Sequence, residues 1–230
     1  MPDRSAAGNR AGPAAWRFIA PFAAWLGLIA ASQYLGLDPR AAYPARVLAA
    51  ALLLLAFSRR LIPWRPRRPG FSILVGAAVF VIWILPELLW PAYRQSWLFN
   101  NPLAGGALSA LPPESRAGPL FLVFRVAGSA LVVPVAEELF WRGWLMRWLI
   151  SREFAAVPLG AYARSAFWIS AALFASEHGP YWDVGLAAGV AYNWWVVRTR
   201  NLADCILAHA VTNGCLAAYV LLAGAWQYWL

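Results

Sequence analysis

Stretches of apolar residues, each about as long as a membrane-spanning helix, recur through most of this chain. A helix rises about 1.5 Å per residue, so about 20 apolar residues cover the hydrocarbon core of a bilayer. Hydrophobic residues make up 62% of the 230 and charged residues 13%, values well outside the range of soluble domains. The stretches lie near residues 17–36, 43–62, 71–92, 117–134, 163–178, 182–198 and 201–223. The sequence therefore predicts an all-α fold, a polytopic transmembrane bundle of about seven to eight helices.

The apolar stretches leave little of the chain for a separate soluble domain. We therefore expect one transmembrane domain over residues 15–230. Residues 1–14 are rich in Gly, Ala and Arg and are predicted to form a disordered cytoplasmic tail. The fourth apolar stretch is predicted to continue as helix to about Ile150.

All basic side chains of the chain are arginines, and they are distributed unevenly between the two sets of loops. One set has Arg4, Arg10, Arg17, Arg59, Arg60, Arg65, Arg67, Arg68, Arg147, Arg152, Arg164, Arg198 and Arg200; the other has Arg40, Arg46, Arg94 and Arg116. Cytoplasmic loops carry the excess of positive charge, so we expect the N-terminus inside and the C-terminus outside. The net charge of +9 does not indicate nucleic-acid binding, because the arginines lie in short segments between apolar runs.

Ionisable side chains within apolar stretches are energetically costly, and here they gather in three places late in the chain. The first place is the segment 137–142, EELFWR. Residues four apart in a helix share one face, so Glu138 and Arg142 are expected to pair. Adjacent helical residues point about 100° apart, which leaves Glu137 without a cation of its own. An unpaired carboxylate in a poorly solvated site suits the role of a general base.

The other two places contain the only histidines of the chain. His178 follows Phe174 by four residues, and Asn213 follows His209 by four, so each pair shares one helix face. One free carboxylate, two imidazoles and a carboxamide can together activate water and stabilise an oxyanion.

The three places can lie at one depth. If the fourth and fifth apolar stretches form an antiparallel hairpin closing over residues 150–163, Glu137 and His178 differ in height by only about 3 Å. His209, eight residues into a helix that starts at Asn201, can approach a similar level. We therefore expect the three segments to meet within the bilayer.

Three motifs, Glu-Glu-x-x-x-Arg, Phe-x-x-x-His and His-x-x-x-Asn, occur here in this order within a predicted membrane bundle. The chain thereby resembles the CAAX protease and bacteriocin-processing (CPBP) family of intramembrane glutamic endopeptidases. The resemblance covers roughly residues 117–223, which would form the catalytic core, and no motif position departs from the family's pattern. The wider runs 134–142, 192–193 and 208–213 are similar to the CAAX prenyl protease-related branch, a bacterial group associated with exosortase sorting systems.

The resemblance implies roles for the motif residues. Glu137 would activate water, and His178 would assist or orient that water. His209 and Asn213 would hold the carbonyl oxygen as it becomes negative. The chain would then be an endopeptidase acting on a membrane-associated peptide or protein.

Three further residues would support the site, and the resemblance also implies a location. Glu138 and Arg142 would form a supporting pair, with Phe174 beside them. The protein would be a multi-pass protein of the bacterial inner membrane, with an exosortase-type sorting system as a partner.

Two catalytic mechanisms that use the same residues stay open on the sequence alone. In one, no cofactor is needed and Glu137 acts as the base; in the other, Glu137, His178 and His209 bind zinc, which acidifies the water. No His-Glu-x-x-His helix is present, which favours the metal-free mechanism. A non-catalytic peptide-binding or bacteriocin-immunity protein is the rival function, and a transporter is less favoured because no internal repeat is visible.

Other polar or small residues are less specific. Gly185 and Gly189 are expected to let their helix pack tightly, with Asn193 continuing the same stripe in a structural role or bordering the cavity. Arg125, well inside its apolar stretch, must pair or reach the interface, and Glu87 is the partner that we expect.

Overall fold

The computed structural model describes residues 14–107 and 111–229, and within them the chain is helical with no strand. Of the predicted tail, residues 1–13 lie outside the described residues. The described helices are α1 (Trp16–Tyr34), α2 (Pro39–Ser58), α3 (Pro69–Leu89), α4 (Pro113–Ala117), α5 (Pro119–Trp148), α6 (Arg164–Ser176), α7 (Trp182–Thr199) and α8 (Leu202–Ala223). The all-α prediction is confirmed, and each predicted apolar stretch contains a helix.

Four of the described helices, α2, α3, α5 and α8, are long and apolar enough to cross a membrane by length and composition. The other helices in predicted spans, α1, α6 and α7, do not reach that combination of length and apolar composition. Helix α6 has only 13 residues, and α7 carries Asp183 and Arg198 near its two ends. That α1, α6 and α7 also cross the bilayer stays a prediction.

Helix α5 carries the acidic pair and is unusually long, with 30 residues. The predicted continuation past the apolar stretch is confirmed, although the helix ends at Trp148 rather than Ile150. Two segments, Gly128–Val132 and Leu139–Leu145, are wound as wider π-helical turns, and they flank Glu137 and Glu138. Such turns redirect side chains and are frequent at functional sites.

Contacts between loops divide the bundle into two ends. At one end Ser58 Oγ donates to the Arg17 carbonyl (2.6 Å), Phe18 packs on Phe154, and Asp204 accepts the backbone N–H of Arg68 (2.8 Å). We call this end, with loops 59–68, 149–163 and 200–201, the arginine-rich face.

The opposite end is formed by residues 90–107, 177–181 and 224–229. Here Arg94 forms a salt bridge with Asp183, and the Tyr181 hydroxyl donates to the Gln227 carbonyl (3.2 Å). We call it the arginine-poor face. The separation fits the predicted alternation of the loops, whereas the assignment of the arginine-rich face to the cytoplasm stays a prediction.

Glycines set the close helix contacts that bring the motifs together. A Cβ added at Gly189 of α7 would lie 3.1 Å from the Ala171 carbonyl of α6, so the expected tight packing of this helix is confirmed. A Cβ at Gly76 of α3 would lie 2.3 Å from the Ala208 carbonyl of α8. These contacts fix α6 and α8, which carry the two histidines, against their neighbours.

Candidate active site

Glu138 is the centre of a buried ionic cluster. Its side chain is inaccessible to solvent, and its Oε1 accepts a hydrogen bond from Arg142 Nη1 at 3.0 Å, the pairing expected from the spacing. The same oxygen lies 2.9 Å from His209 Nδ1. Glu138 therefore positions His209 across 71 residues of sequence, a contact that the spacing did not reveal.

Glu137 differs from its neighbour because it has no such partner. It is buried, with 7% of its surface exposed, yet its Oε2 forms no hydrogen bond within the described residues. His209 Nε2 lies 3.9 Å from Glu137 Oε2. The carboxylate is thus close enough to share a small ligand such as water with the imidazole.

His209 is held on two sides. A carboxylate only accepts hydrogen bonds, so Nδ1 donates to Glu138. The ring stacks on Tyr192, with centroids 4.8 Å apart and an interplanar angle of 22°. Nε2 is left facing Glu137.

His178 lies just beyond the end of α6 and also has one nitrogen engaged. Its Nδ1 is 2.7 Å from the Phe174 carbonyl, which can only accept, so Nδ1 carries a proton. The ring lies between Phe174 (4.7 Å) and Trp83 (5.2 Å), and the missing side chain of Gly185 makes room for it. Packing therefore fixes the direction of the free Nε2.

Asn213 lies one helical turn beyond His209 on α8. Its Nδ2 donates to the Ser129 carbonyl at 2.8 Å, beside the first π-helical turn of α5. A carboxamide nitrogen carries two hydrogens, so a second one is available to a ligand.

The four residues predicted as catalytic line one cavity, which we call the chamber. The chamber has a volume of about 210 Å³ and is lined by Glu137, His178, His209 and Asn213, among others. A second cavity of about 500 Å³, the vestibule, is lined by residues of the arginine-poor face, including Gly105 and Pro180. Trp83, Arg125, His178 and Tyr228 line both cavities. The chamber is therefore next to the arginine-poor face.

The zinc alternative requires three donors that converge. Among residues 14–107 and 111–229, no group of three or more His, Cys, Asp or Glu side chains could hold a metal ion. Glu137, His178 and His209 are thus not grouped as the three ligands of a catalytic zinc site would be, and that the reaction needs no metal stays a prediction.

Asn193 has the structural role that was expected for it. Its Oδ1 accepts from Arg142 Nε at 2.9 Å, and its Nδ2 donates to the Phe167 carbonyl at 2.8 Å. The side chain is fully buried and ties α7 to α5 and α6.

One feature of the site was not predicted from the sequence, and one prediction about the site was wrong. Tyr192 was noticed only as part of a family-like run, although its hydroxyl donates to Thr212 Oγ1 (2.7 Å) and its ring supports His209. The expected Arg125–Glu87 pair is wrong, since no acidic side chain of the described residues lies within 4 Å of Arg125. Glu87 instead lines a separate cavity with Arg94.

Comparison with known proteins gives a family match over the part of the chain that contains the site. Residues 119–215 match the family model described as type II CAAX prenyl endopeptidase, Rce1-like, and this range lies within the predicted core of 117–223. No curated protein and no solved structure matches the chain. The matched range contains Glu137, His178, His209 and Asn213 together with their supporting residues. The chain is thus a multi-pass membrane protein, and its residues 119–215, which contain the candidate active site, are similar to type II CAAX prenyl endopeptidases.

Proposed function

We propose that the protein is an intramembrane endopeptidase that hydrolyses a peptide bond of a membrane-associated protein or peptide. The observation that carries the proposal is the unpaired Glu137 carboxylate, which faces His209 Nε2 at 3.9 Å in the chamber that also contains His178 and Asn213. A base, two imidazoles and an amide donor around one small cavity are the groups that peptide hydrolysis needs.

In the proposed mechanism, Glu137 removes a proton from a water molecule whose oxygen attacks the carbonyl carbon. His178 orients this water through Nε2. The carbonyl oxygen becomes negative and accepts hydrogen bonds from the Asn213 amide and from His209. As the C–N bond breaks, Glu137 returns the proton to the leaving amine, so that the base is regenerated.

For His209 to donate a hydrogen bond to the carbonyl oxygen of the substrate, its Nε2 must carry a hydrogen. Because Nδ1 already donates to Glu138, an Nε2–H donor requires the imidazolium form. Glu138 holds the Nδ1 side of the ring, Arg142 holds Glu138, and Asn193 holds Arg142. The supporting pair therefore acts through His209 rather than on the substrate.

The wider setting is part of the same proposal. A bacterial inner membrane is the proposed location, from the resemblance to the bacterial branch, and the arginine distribution supports an N-terminus in the cytoplasm. The chamber would then be entered from outside, through the vestibule, and an exosortase-type sorting system is the partner that we propose to supply the substrate.

The proposal is tested by comparing Glu137→Gln with wild type in cells. We expect protein termini that are present in wild-type membranes to be missing from the variant, because the amide cannot accept the proton. Glu153→Gln, at an exposed loop position, is the matched control and should preserve these termini. Identical termini in all three strains would support a peptide-binding protein instead.

The metal-free mechanism is tested with purified protein. We expect cleavage of the identified substrate to survive treatment with a chelator. Loss of cleavage that is restored by zinc would contradict the mechanism and leave the endopeptidase assignment intact.

A further inference from the structure

A groove with apolar walls lies beside the arginine-rich face and shares no lining residue with the chamber or the vestibule. It has a volume of about 300 Å³, at the lower end of the range of small-molecule sites. Its walls come from loop 59–68, from α5 and from α8. We call it the groove, and its larger lining side chains are Ile62, Trp64, Pro66, Leu131, Val135 and Ile206.

The walls of the groove suit an occupant that forms no hydrogen bonds. All the side chains that line it are apolar, and the indole N–H of Trp64 is already used, since it donates to the Arg59 carbonyl at 3.1 Å. A peptide segment in the groove would therefore leave backbone polar groups without partners, which is costly in an apolar setting. A hydrocarbon chain has no such groups.

The groove is open on the outside of the bundle. Leu131 exposes 65% of its surface, and it lies on α5, which with α8 is long and apolar enough to cross a membrane. Ala203 and Ala210 of α8 both line the groove, and their seven-residue separation corresponds to a rise of about 10 Å. The groove thus runs inward along α8 from loop 59–68, in the direction that a lipid chain takes from its headgroup.

Positive charge is concentrated at the outer end of the groove. Trp64 and Pro66, which flank Arg65 in the sequence, both line it. Within the described residues, none of the arginines of this loop forms a salt bridge. Guanidinium groups bind phosphate oxygens through paired hydrogen bonds. The exposed arginines of the loop are Arg59, Arg60, Arg65, Arg67 and Arg68.

Contacts with α8 and the residue before it hold the loop in place. Asp204 accepts the backbone N–H groups of Arg67 (2.9 Å) and Arg68 (2.8 Å), and Asn201 Nδ2 donates to the Arg65 carbonyl at 3.2 Å. Because the backbone is fixed at these points, less conformational freedom is lost when the loop binds a ligand.

We propose that the groove binds one acyl chain of an anionic phospholipid whose phosphate lies against the arginines of loop 59–68. Lipid tails are as apolar as the walls, so the chain gains little by leaving bulk lipid. Preference for this lipid therefore comes from the arginines, each of which contributes about fivefold in affinity near an anionic headgroup. The inference does not depend on the proposed endopeptidase function.

The bound lipid would lie behind the walls of the chamber. Ser129 and His209 line the chamber, whereas the next residues along the chain, Ala130 and Ala210, line the groove. A chain in the groove contacts both α5 and α8, which carry these residues. Because a ligand that binds only the folded state stabilises it, the lipid should raise the Tm of the protein.

The first test compares two lipids that have the same chains. Full-length protein is delipidated in detergent, and dioleoyl phosphatidylglycerol or dioleoyl phosphatidylcholine is added. Native mass spectrometry measures the affinity of the first lipid bound, and thermal unfolding gives the Tm. We expect phosphatidylglycerol to bind about 10-fold tighter or more and to give the larger increase in Tm. Equal affinities for the two lipids would overturn the proposal.

Charge variants distinguish a site from general attraction to a positive surface. The double variant Arg60→Gln with Arg65→Gln should weaken phosphatidylglycerol binding about 10- to 30-fold and change phosphatidylcholine binding little. The matched control, Arg152→Gln with Arg164→Gln, removes the same charge from exposed positions at the same end of the bundle. Equal losses in the two double variants would overturn the site.

Groove-filling variants test the place of the acyl chain. Ala130→Leu puts a larger side chain into the groove and should lower the affinity for phosphatidylglycerol about 10-fold. Ala78→Leu, at an exposed position of α3 away from the groove, is the control. Ile206→Phe fills the groove from α8, so the result does not depend on the folding of one variant. Undiminished affinity in a folded filling variant would place the lipid elsewhere and contradict the proposal.

Discussion

Two clusters of ionisable side chains lie close together in this bundle and differ in how they are partnered. In the paired cluster, Glu138 Oε1 contacts both Arg142 and His209, and Asn193 contacts Arg142, although the second oxygen of Glu138, Oε2, forms no hydrogen bond within the described residues. In the unpaired cluster, Glu137 and Arg125, which line the chamber, have buried polar atoms without hydrogen bonds within the described residues. Both clusters line or adjoin the same chamber.

We infer from this difference that the paired cluster stabilises the fold and the unpaired cluster acts on the substrate. Buried polar groups that satisfy one another rigidify a site, and breaking them leaves an uncompensated charge. Buried polar groups without partners are costly and persist where a ligand completes them. We therefore expect substitutions in the paired cluster to lower stability and those in the unpaired cluster to lower activity.

The largest expected effect is that of Glu137→Gln on the rate of cleavage. Loss of a general base lowers kcat by about 10²- to 10⁴-fold. The free energy of unfolding should change little, because Glu137 Oε2 forms no hydrogen bond within the described residues. Measurement of kcat and of unfolding in mixed detergent micelles checks both, and an equally large loss of stability would erase the distinction between the clusters.

Arg142→Met should have the largest effect on stability. It leaves Glu138 as a buried charge, which costs about 3 to 5 kcal/mol in the free energy of unfolding. The double variant with Glu138→Leu should recover much of that loss, because no unpaired charge remains. Arg164→Met, at an exposed position, is the control. Unfolding curves in detergent that are unchanged by Arg142→Met alone would show that the pair contributes nothing.

The sequence predicted those features of the fold that depend on local spacing. The length of the apolar stretches predicted the helices, and four-residue spacing predicted the Glu138–Arg142 pair. Counting residues from the hairpin predicted that Glu137 and His178 share a depth, and both line the chamber. The catalytic roles of these residues stay predictions.

Features that depend on how each helix is rotated could not be predicted. In lipid most faces of a helix are apolar, so the sequence pattern does not tell which face meets which neighbour. The Glu138–His209 contact and the stacking of Tyr192 on His209 depend on that rotation. The expected Arg125–Glu87 pair failed for the same reason, since the two side chains line different cavities.

Gly76→Ala tests how much the chamber depends on the contact between α3 and α8. The added Cβ would lie 2.3 Å from the Ala208 carbonyl, so α8 must move, at a cost of about 1 to 3 kcal/mol in stability. Because α8 carries His209 and Asn213, activity should fall as well. Gly214→Ala on the same helix is the control, since its Cβ meets nothing within 4 Å and the substitution favours helix. Equal melting temperatures for the two variants would contradict the proposed fit.

The smallest expected effect separates the two contacts of Tyr192. Tyr192→Phe removes the hydrogen bond to Thr212, which should cost about 1 kcal/mol of unfolding free energy. The ring stays on His209, so kcat should stay near that of wild type, whereas Tyr192→Leu should lower kcat because the stacked face is lost. Tyr162→Phe, at an exposed position, controls for loss of a hydroxyl. If Tyr192→Phe lowers kcat as strongly as Tyr192→Leu, the hydroxyl rather than the ring positions His209, and Tyr192 then acts through its hydrogen bond to α8.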